Sequence, residues 1–337
     1  MSPDGAEAKR QRPVRLPDWI YAQSAALPFR GEARELEILL VRSRNGRRWS
    51  PPKGIVEPGM TAHASAAKEA SEEAGVVGAI ADRALGSYRR KKWGGTCSVA
   101  VFPMQVTAEL DDWPEAGNRR REWLPLAGAA KKIDDEALGK LVEGLPRALE
   151  EINTAATWTR SEACAPPRLI HLLRHAKSSW ADPTLDDFDR PLAERGRRAG
   201  KIMKRYLRIA DIRPALVLCS PALRTRETLE RVRESLGAEA DVKFENDLYH
   251  SECLALSNRL RQLPDEAGSV MVIGHYPSLQ DLAIHLAGDG DEGTLSRMRA
   301  KFPTGVLATL IYPGERWQEL GPGSCELHSF VVPRELE

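Results

Sequence analysis

Three short apolar runs, residues 169–173, 216–219 and 270–273, are each followed by a loop and then by a helical pattern. A strand buried on both faces reads as an unbroken apolar run, and alternation of such strands with helices is the signature of a parallel sheet covered by helices. This half of the chain is therefore predicted to be α/β with a mainly parallel sheet. Each run also ends on polar residues: Arg174 and His175 after the first, Ser220, Arg224 and Thr228 after the second, His275 after the third. Ligands bind beyond the carboxyl ends of strands in open α/β sheets, so the three sets are expected to meet. Two guanidiniums can clamp phosphoryl oxygens bidentately. A histidine held among them can take the phosphoryl group as nucleophile, and a second can donate a hydrogen bond to the transferring group. Taken singly, each histidine reads as a partly buried, hydrogen-bonded residue; the ordered set is what points to phosphoryl chemistry.

At 337 residues the chain has room for two domains. Residues 154–167 break the regular patterning and form the best linker candidate, which divides the chain into a first domain over residues 15–153 and a second over 168–333. Lys plus Arg number 49 against 48 Asp plus Glu, so no global basic field points to nucleic acid or an anionic membrane. The five cysteines stand apart without a CxxC, which argues for reduced thiols and against a structural zinc site. The N-terminal tail lacks an apolar signal segment, and no stretch approaches the length needed to span a bilayer. A cytoplasmic protein is expected, with no nucleic-acid or membrane partner; oligomeric state is not readable.

In the first half, residues 35–41 and 97–106 read as strands, 62–74 as an Ala-rich helix stopped by Gly75, and 136–151 as a helix. The helix at 62–74 carries Glu69, Glu72 and Glu73 at i, i+3 and i+4. Such a cluster is most often a solvated acidic face. Three like charges on one face repel one another, and a hard divalent cation, Mg²⁺ or Mn²⁺, would reverse that cost. Lys53 and Gly54 enter the preceding loop, where a cation and exposed backbone can approach phosphate oxygens.

The segment PPKGIVEPGMTAHASAAKEASEEAGV resembles the Nudix box: Gly54, Glu69, Ala70, Glu72, Glu73, Gly75 and Val76 match, while Met60 stands where a Glu is usual and Lys68 replaces Arg. The resemblance implies a Nudix fold, an α/β/α sandwich with a mixed sheet, in which Glu69, Glu72 and Glu73, with Gly54 in the loop, hold Mg²⁺ and activate water for attack on a pyrophosphate, Glu72 and Glu73 acting catalytically. In the family the first Glu and the Arg brace the loop; no ion pair can join Met60 to Lys68. A further carboxylate from a later loop is expected, with Glu115 the candidate and Glu122 behind it. Arg42 and Lys53 are plausible phosphate contacts, and Tyr88 or Trp93 could stack a base or sit in the core. The phrasing around the box is more similar to the branch acting on diadenosine and diphosphoinositol polyphosphates than to the MutT branch.

The second half, through LLRHAKSSW, DDFDRPLAERGRRAG, CSPALRTRET and VIGHYPSL, resembles the histidine phosphatase superfamily, of phosphoglycerate-mutase-like three-layer α/β fold, and within it the small SixA-like phosphohistidine phosphatases. Carried over by position, His175 is the nucleophile, Arg174 and Arg224 form the clamp, and His275 completes the pocket, with Arg190 and Ser220 supporting substrate binding. Many members carry a carboxylate general acid between the second and third strands, for which Asp247 and Glu252 are the candidates here; SixA-like members often lack a clear acid, which would favour good leaving groups such as phosphohistidine or a terminal phosphoanhydride over alkyl phosphate esters. The leading expectation is a bifunctional phosphohydrolase acting on a small phosphorylated molecule, with metal required by the first half only. Two alternatives stand beside it: a protein phosphohistidine phosphatase with a nucleotide-sensing or MutT-like first domain, and a chain in which one half is a non-catalytic phosphate-binding module.

Overall fold

The computed structural model describes residues 16–32, 35–43, 46, 48–161 and 166–337. The predicted N-terminal tail lies outside the described residues up to position 15. The first domain contains β1 (Ala22–Arg30), β2 (Glu37–Arg42), β3 (Trp49–Ser50), β4 (Lys53–Ile55), α1 (Ala62–Ala74), β5 (Val76–Ala81), β6 (Gly86–Lys92), β7 (Gly95–Glu109), β8 (Arg121–Pro125), α2 (Leu126–Lys132), α3 (Glu136–Glu143), α4 (Leu145–Ala155) and β9 (Trp158–Arg160). Its mixed sheet runs β3-β2-β1-β7-β5-β9, with β4 on β1, β6 on β7 and β8 on β2. Apolar clusters line both faces. Ala66, Ala67, Ala70 and Ala74 of α1 close one, and Leu138, Val142 and Leu145 of the later helices close the other, which makes the sandwich.

α1 keeps its predicted bounds because both ends are specified. The Thr61 hydroxyl accepts from the Ala64 N–H, and Gly75 adopts the left-handed conformation that ends the helix. The helix predicted over 136–151 is two helices, because Gly144 and Pro146 interrupt the backbone ladder. The predicted linker is also shorter than 154–167. Residues 158–160 pair with β5, Ala79 facing Arg160, and the Asp82 carboxylate accepts from the Thr157 N–H at 3.0 Å.

The second domain contains β10 (Arg168–Arg174), α5 (Glu194–Ile209), β11 (Leu216–Cys219), α6 (Leu223–Val232), β12 (Asp241–Phe244), α7 (Cys253–Arg261), β13 (Ser269–Gly274), α8 (Ser278–Leu286), β14 (Ala287–Gly290), α9 (Glu292–Ala300), β15 (Leu307–Tyr312) and β16 (Cys325–Val331). The sheet order is β12-β11-β13-β10-β15-β16-β14. β12, β11, β13 and β10 are mutually parallel, and β15 is antiparallel to both neighbours. Apolar clusters again cover both faces, giving three layers.

The two domains share apolar core. Leu16 and Ile20, which precede β1, are buried in the same cluster as Met203, Tyr206, Leu207 and Val331 of the second domain, and Trp19, Ile55 and Trp93 pack against it. These opening residues, assigned by sequence to the first domain, are therefore held by the second. Gly59 touches it as well. A Cβ there would lie 2.6 Å from Pro167 and 2.8 Å from Ile311, and its φ of +74° lies in the left-handed region that favours glycine. No helix among the described residues is long and apolar enough to cross a membrane.

Candidate functional sites

In the second domain the parallel strands bring the predicted residues together at their carboxyl ends. The His175 N–H donates to Gly274 at 3.0 Å and the Ser220 N–H to Ile273 at 3.0 Å, tying the ends of β10, β11 and β13 to one another. The His175 and His275 rings lie 5.3 Å apart and line one cavity of about 340 Å³ with Asp187, Arg224, Tyr249, His250 and Tyr276.

Hydrogen bonding fixes both tautomers. His175 Nδ1 faces the Ala176 carbonyl at 2.8 Å. A carbonyl only accepts, so Nδ1 carries the proton and Nε2 keeps its lone pair. Burial, reinforced by the charges of Arg224 and Arg174, pushes its pKa down to about 4. The imidazole is thus neutral and nucleophilic at neutral pH. Arg224 Nη2 meets His275 Nδ1 at 3.3 Å; a guanidinium only donates, so the proton sits on Nε2 and is donated to Ser220 Oγ at 2.8 Å. Burial and then His175 and Arg224 lower the His275 pKa to about 3. Its N–H was expected on the transferring group; here Ser220 holds it. Ser220 is thus the hydrogen-bond partner of His275.

The clamp is asymmetric. Arg174 donates to the Phe302 carbonyl and lies over the Tyr276 ring at 4.9 Å, while its buried Nε has no hydrogen-bond partner. An orphaned guanidinium N–H beside the nucleophile is a donor to which a phosphoryl oxygen can bind. Arg224 donates to Asp187, to its carbonyl and, at 2.8 Å, to its carboxylate. Arg190, expected to touch substrate, is bonded within the protein through all three guanidinium nitrogens. It donates to Ser178 Oγ at 2.7 Å, Asp187 Oδ1 at 2.7 Å and the Ser179 carbonyl at 3.0 Å, and packs under Trp180.

Sequence reasoning missed Asp187 and Tyr249. Burial alone would raise the Asp187 pKa, but the Tyr249 hydroxyl, at 2.9 Å, and the Arg224 and Arg190 guanidiniums hold it below the usual range. The acid candidates Asp247 and Glu252 do not line the cavity. Glu252 precedes α7, and the Asp247 carbonyl accepts from Ser251. Only the DxxR spacing of Asp187 to Arg190 could have signalled the former.

In the first domain Glu69, Glu72 and Glu73 share one face of α1. Glu73 is buried; its carboxylate accepts the Lys53 N–H at 3.1 Å and pairs with Arg119. Glu72 pairs with Lys68 at 3.0 Å. Glu69 lies against the α-carbon of Gly54, where any Cβ would overlap its carboxylate. Burial and then the Glu73 and Glu72 charges raise its pKa well above the usual range. Glu115 joins the group: it pairs with Arg119 at 2.6 Å, and its N–H donates to the Glu72 carbonyl at 3.2 Å. Glu122 does not; it pairs with Lys132. Arg42 also stays out, its Nε donating to the Gly46 carbonyl at 2.8 Å. Tyr88 is a buried core residue, and Trp93 packs at the domain seam.

Two departures from sequence expectation stand out. The loop brace exists in altered form: Lys68 pairs with Glu57 at 2.5 Å, from inside the loop, where Met60 could not serve. Cations are also denser than expected. Lys53 is buried and its pKa falls to about 8, through burial opposed by Glu73 and assisted by Arg90, Arg119 and Lys92. Arg90 and Lys92 come from β6, where alternation puts them on one face. Among the described residues no three His, Cys, Asp or Glu side chains converge as a metal-binding group; Lys68 and Arg119 pair with two of the three carboxylates.

Two phosphate-directed sites on two sandwich folds define a two-domain phosphohydrolase. Residues 21–145 match the NUDIX domain and residues 170–252 the histidine phosphatase superfamily, branch 1, both families of hydrolytic enzymes. An uncharacterized protein of Mycobacterium leprae is 36% identical over 166 residues, covering 48% of this chain and 100% of that one. Nudix hydrolase 12, mitochondrial, of Arabidopsis thaliana is 34% identical over 125 residues, covering 35% of this chain and 62% of its own length. The solved structure of the protein histidine phosphatase SixA complexed with tungstate is 23% identical, covers 50% of this chain and 99% of that one, and superposes with a TM-score of 0.42.

Proposed function

We propose that the second domain removes a phosphoryl group through a phosphohistidine on His175, without metal, and that the first hydrolyses a pyrophosphate bond of a polyphosphate chain with a divalent metal. The observation that carries the reading is the state of His175: neutral, with Nδ1 donated to Ala176 and Nε2 left free beside the unpartnered Nε of Arg174. Nε2 attacks phosphorus, Arg174 and Arg224 hold the phosphoryl oxygens, and the leaving group departs with the bonding electron pair. Water then hydrolyses the phosphohistidine.

For the first domain, the donor chemistry fits a hard divalent cation. Glu69 makes no ion pair or hydrogen bond among the described residues although two carboxylates flank it, and Gly54 leaves room for its side chain. Glu69, Glu72 and Glu73 would hold Mg²⁺ or Mn²⁺, which supplies a Lewis acid and a water of lowered pKa. Lys53, Arg90 and Lys92 bind and orient the anionic chain. Three cations beside a divalent metal exceed what a lone phosphate needs, which favours a nucleoside, diadenosine or diphosphoinositol polyphosphate. The four described cysteines are free thiols, in keeping with a reducing cytoplasm.

The test is product analysis by mass spectrometry, with Mg²⁺, on a panel of these polyphosphates and a phosphohistidine peptide. Glu73→Gln or EDTA is expected to stop pyrophosphate cleavage and leave phosphate release intact; His175→Ala is expected to do the reverse. Pyrophosphate cleavage that survives EDTA would refute the metal assignment.

A further inference from the structure

The reaction at His175 leaves one need unmet when the leaving atom is an oxygen, a proton for that oxygen. Asp187 cannot supply it, because two guanidiniums and the Tyr249 hydroxyl keep its carboxylate ionised. Asp247 and Glu252 lie outside the cavity lining. The Tyr249 hydroxyl is spent on Asp187, and the His275 N–H on Ser220. One further imidazole lines the same cavity. His250 sits at φ +62°, a left-handed conformation unfavourable for a side chain with a Cβ and found preferentially at functional sites. Its ring lies 4.0 Å from that of Tyr249, and the Tyr249 ring is in turn 5.4 Å from that of His275. The backbone turn therefore keeps an exposed imidazole at the mouth of the pocket, within reach of bulk water for reprotonation.

We propose that His250 is the general acid of the phosphatase domain, protonating the leaving-group oxygen as the phosphoryl passes to His175. This rests on the reading of His175 as nucleophile. In the first step the His175 Nε2–P bond forms, the P–O bond to the leaving group breaks with its electron pair going to oxygen, and the His250 imidazolium gives that oxygen its proton. In the second, neutral His250 accepts a proton from the water that attacks phosphorus; the P–N bond breaks, freeing His175 and phosphate and restoring the imidazolium. The substrate class widens accordingly. With an internal acid the site takes alkyl phosphate monoesters, whose alkoxide leaves poorly without a proton, as well as phosphoramidates and anhydrides.

The test compares leaving groups on the full-length protein: 4-nitrophenyl phosphate, whose phenolate leaves unaided, and a simple alkyl phosphate monoester. His250→Gln is expected to lower kcat/KM for the alkyl ester by about 100-fold, within the range of general acid catalysis, and for the nitrophenyl ester by less than about 3-fold. The second substrate reports that the variant is folded. Equal losses on both esters, no loss on either, or a wild-type protein inert towards the alkyl ester would overturn the proposal. His175→Ala separates the two readings: if it leaves turnover of both esters intact, the nucleophile is wrong, whereas its silencing both while His250→Gln shows no leaving-group dependence rejects the acid alone.

Discussion

Asp187 illustrates how one side chain can set the geometry of a site it need not touch chemically. Its carboxylate receives Arg190, Arg224 and Tyr249, so it aims one arm of the phosphate clamp. Replacing it with Asn removes the charge and weakens the hold on Arg224, which keeps its bonds to the residue-187 carbonyl and to His275. Asp187→Asn is expected to reduce kcat/KM of the phosphatase by about 10- to 100-fold, chiefly through KM, the scale of one charge-assisted hydrogen bond, while Asp247→Asn leaves it unchanged; steady-state kinetics on one ester checks both. The pH profile belongs to this scale too. Since His175 titrates at about 4, the nucleophile is lost only as pH falls through 4, and log kcat/KM should bend downward there. Arg174, His175, Arg224 and His275 were legible in the sequence because each follows an apolar run that ends at the same sheet edge. Asp187, Tyr249 and His250 were not, since they lie in irregular segments where no periodicity says which way a side chain faces.

The loop and helix that carry the acidic cluster form one unit. Gly54 makes room for Glu69, Gly75 stops the helix, and the Lys68–Glu57 pair pins the loop to α1. Gly54→Ala is expected to abolish metal-dependent turnover, because the added methyl group would occupy the position of the Glu69 carboxylate. Glu57→Gln should impair the same turnover while costing less than about 1 kcal/mol of stability, as the pair is about 30% exposed. Parallel metal titrations and thermal melts distinguish the two effects. The helix itself was readable from its alanines, its Thr cap and its closing Gly. The brace was not, because a sequence comparison looks for the ion pair at position 60, and physics requires only an acid within reach of Lys68. Likewise, the one predicted helix over 136–151 carried its own break in Gly144 and Pro146.

At the scale of the molecule the seam matters most. Ile20 is fully buried in the second domain's core, so Ile20→Ala should lower the stability of that domain by about 3 kcal/mol, in the range for large-to-small core changes, as read by denaturant unfolding. His328 meets Trp19 across the seam at 4.9 Å, and burial holds its pKa, like that of His171, at about 4. Between about pH 6.5, the ordinary histidine value, and 4 the unfolded chain binds the extra protons, so stability is complete above 6.5 and is lost as pH falls through this window. The Gly59 contact lies at the far end of β10 from the phosphatase residues. Gly59 touches Ile311, which pairs with Leu169, whereas Arg174 lies at the other end of β10, five residues and about 17 Å along the strand.

Transfer of the phosphoryl group to His175 is tested most directly by rapid quench in alkali after mixing the protein with a phosphatase substrate in EDTA, followed by mass spectrometry of its peptides. A transient adduct of one phosphoryl group on the peptide carrying His175, absent in His175→Ala, is expected. Substrate turnover with no such adduct, or an adduct that forms only with divalent metal, would contradict it.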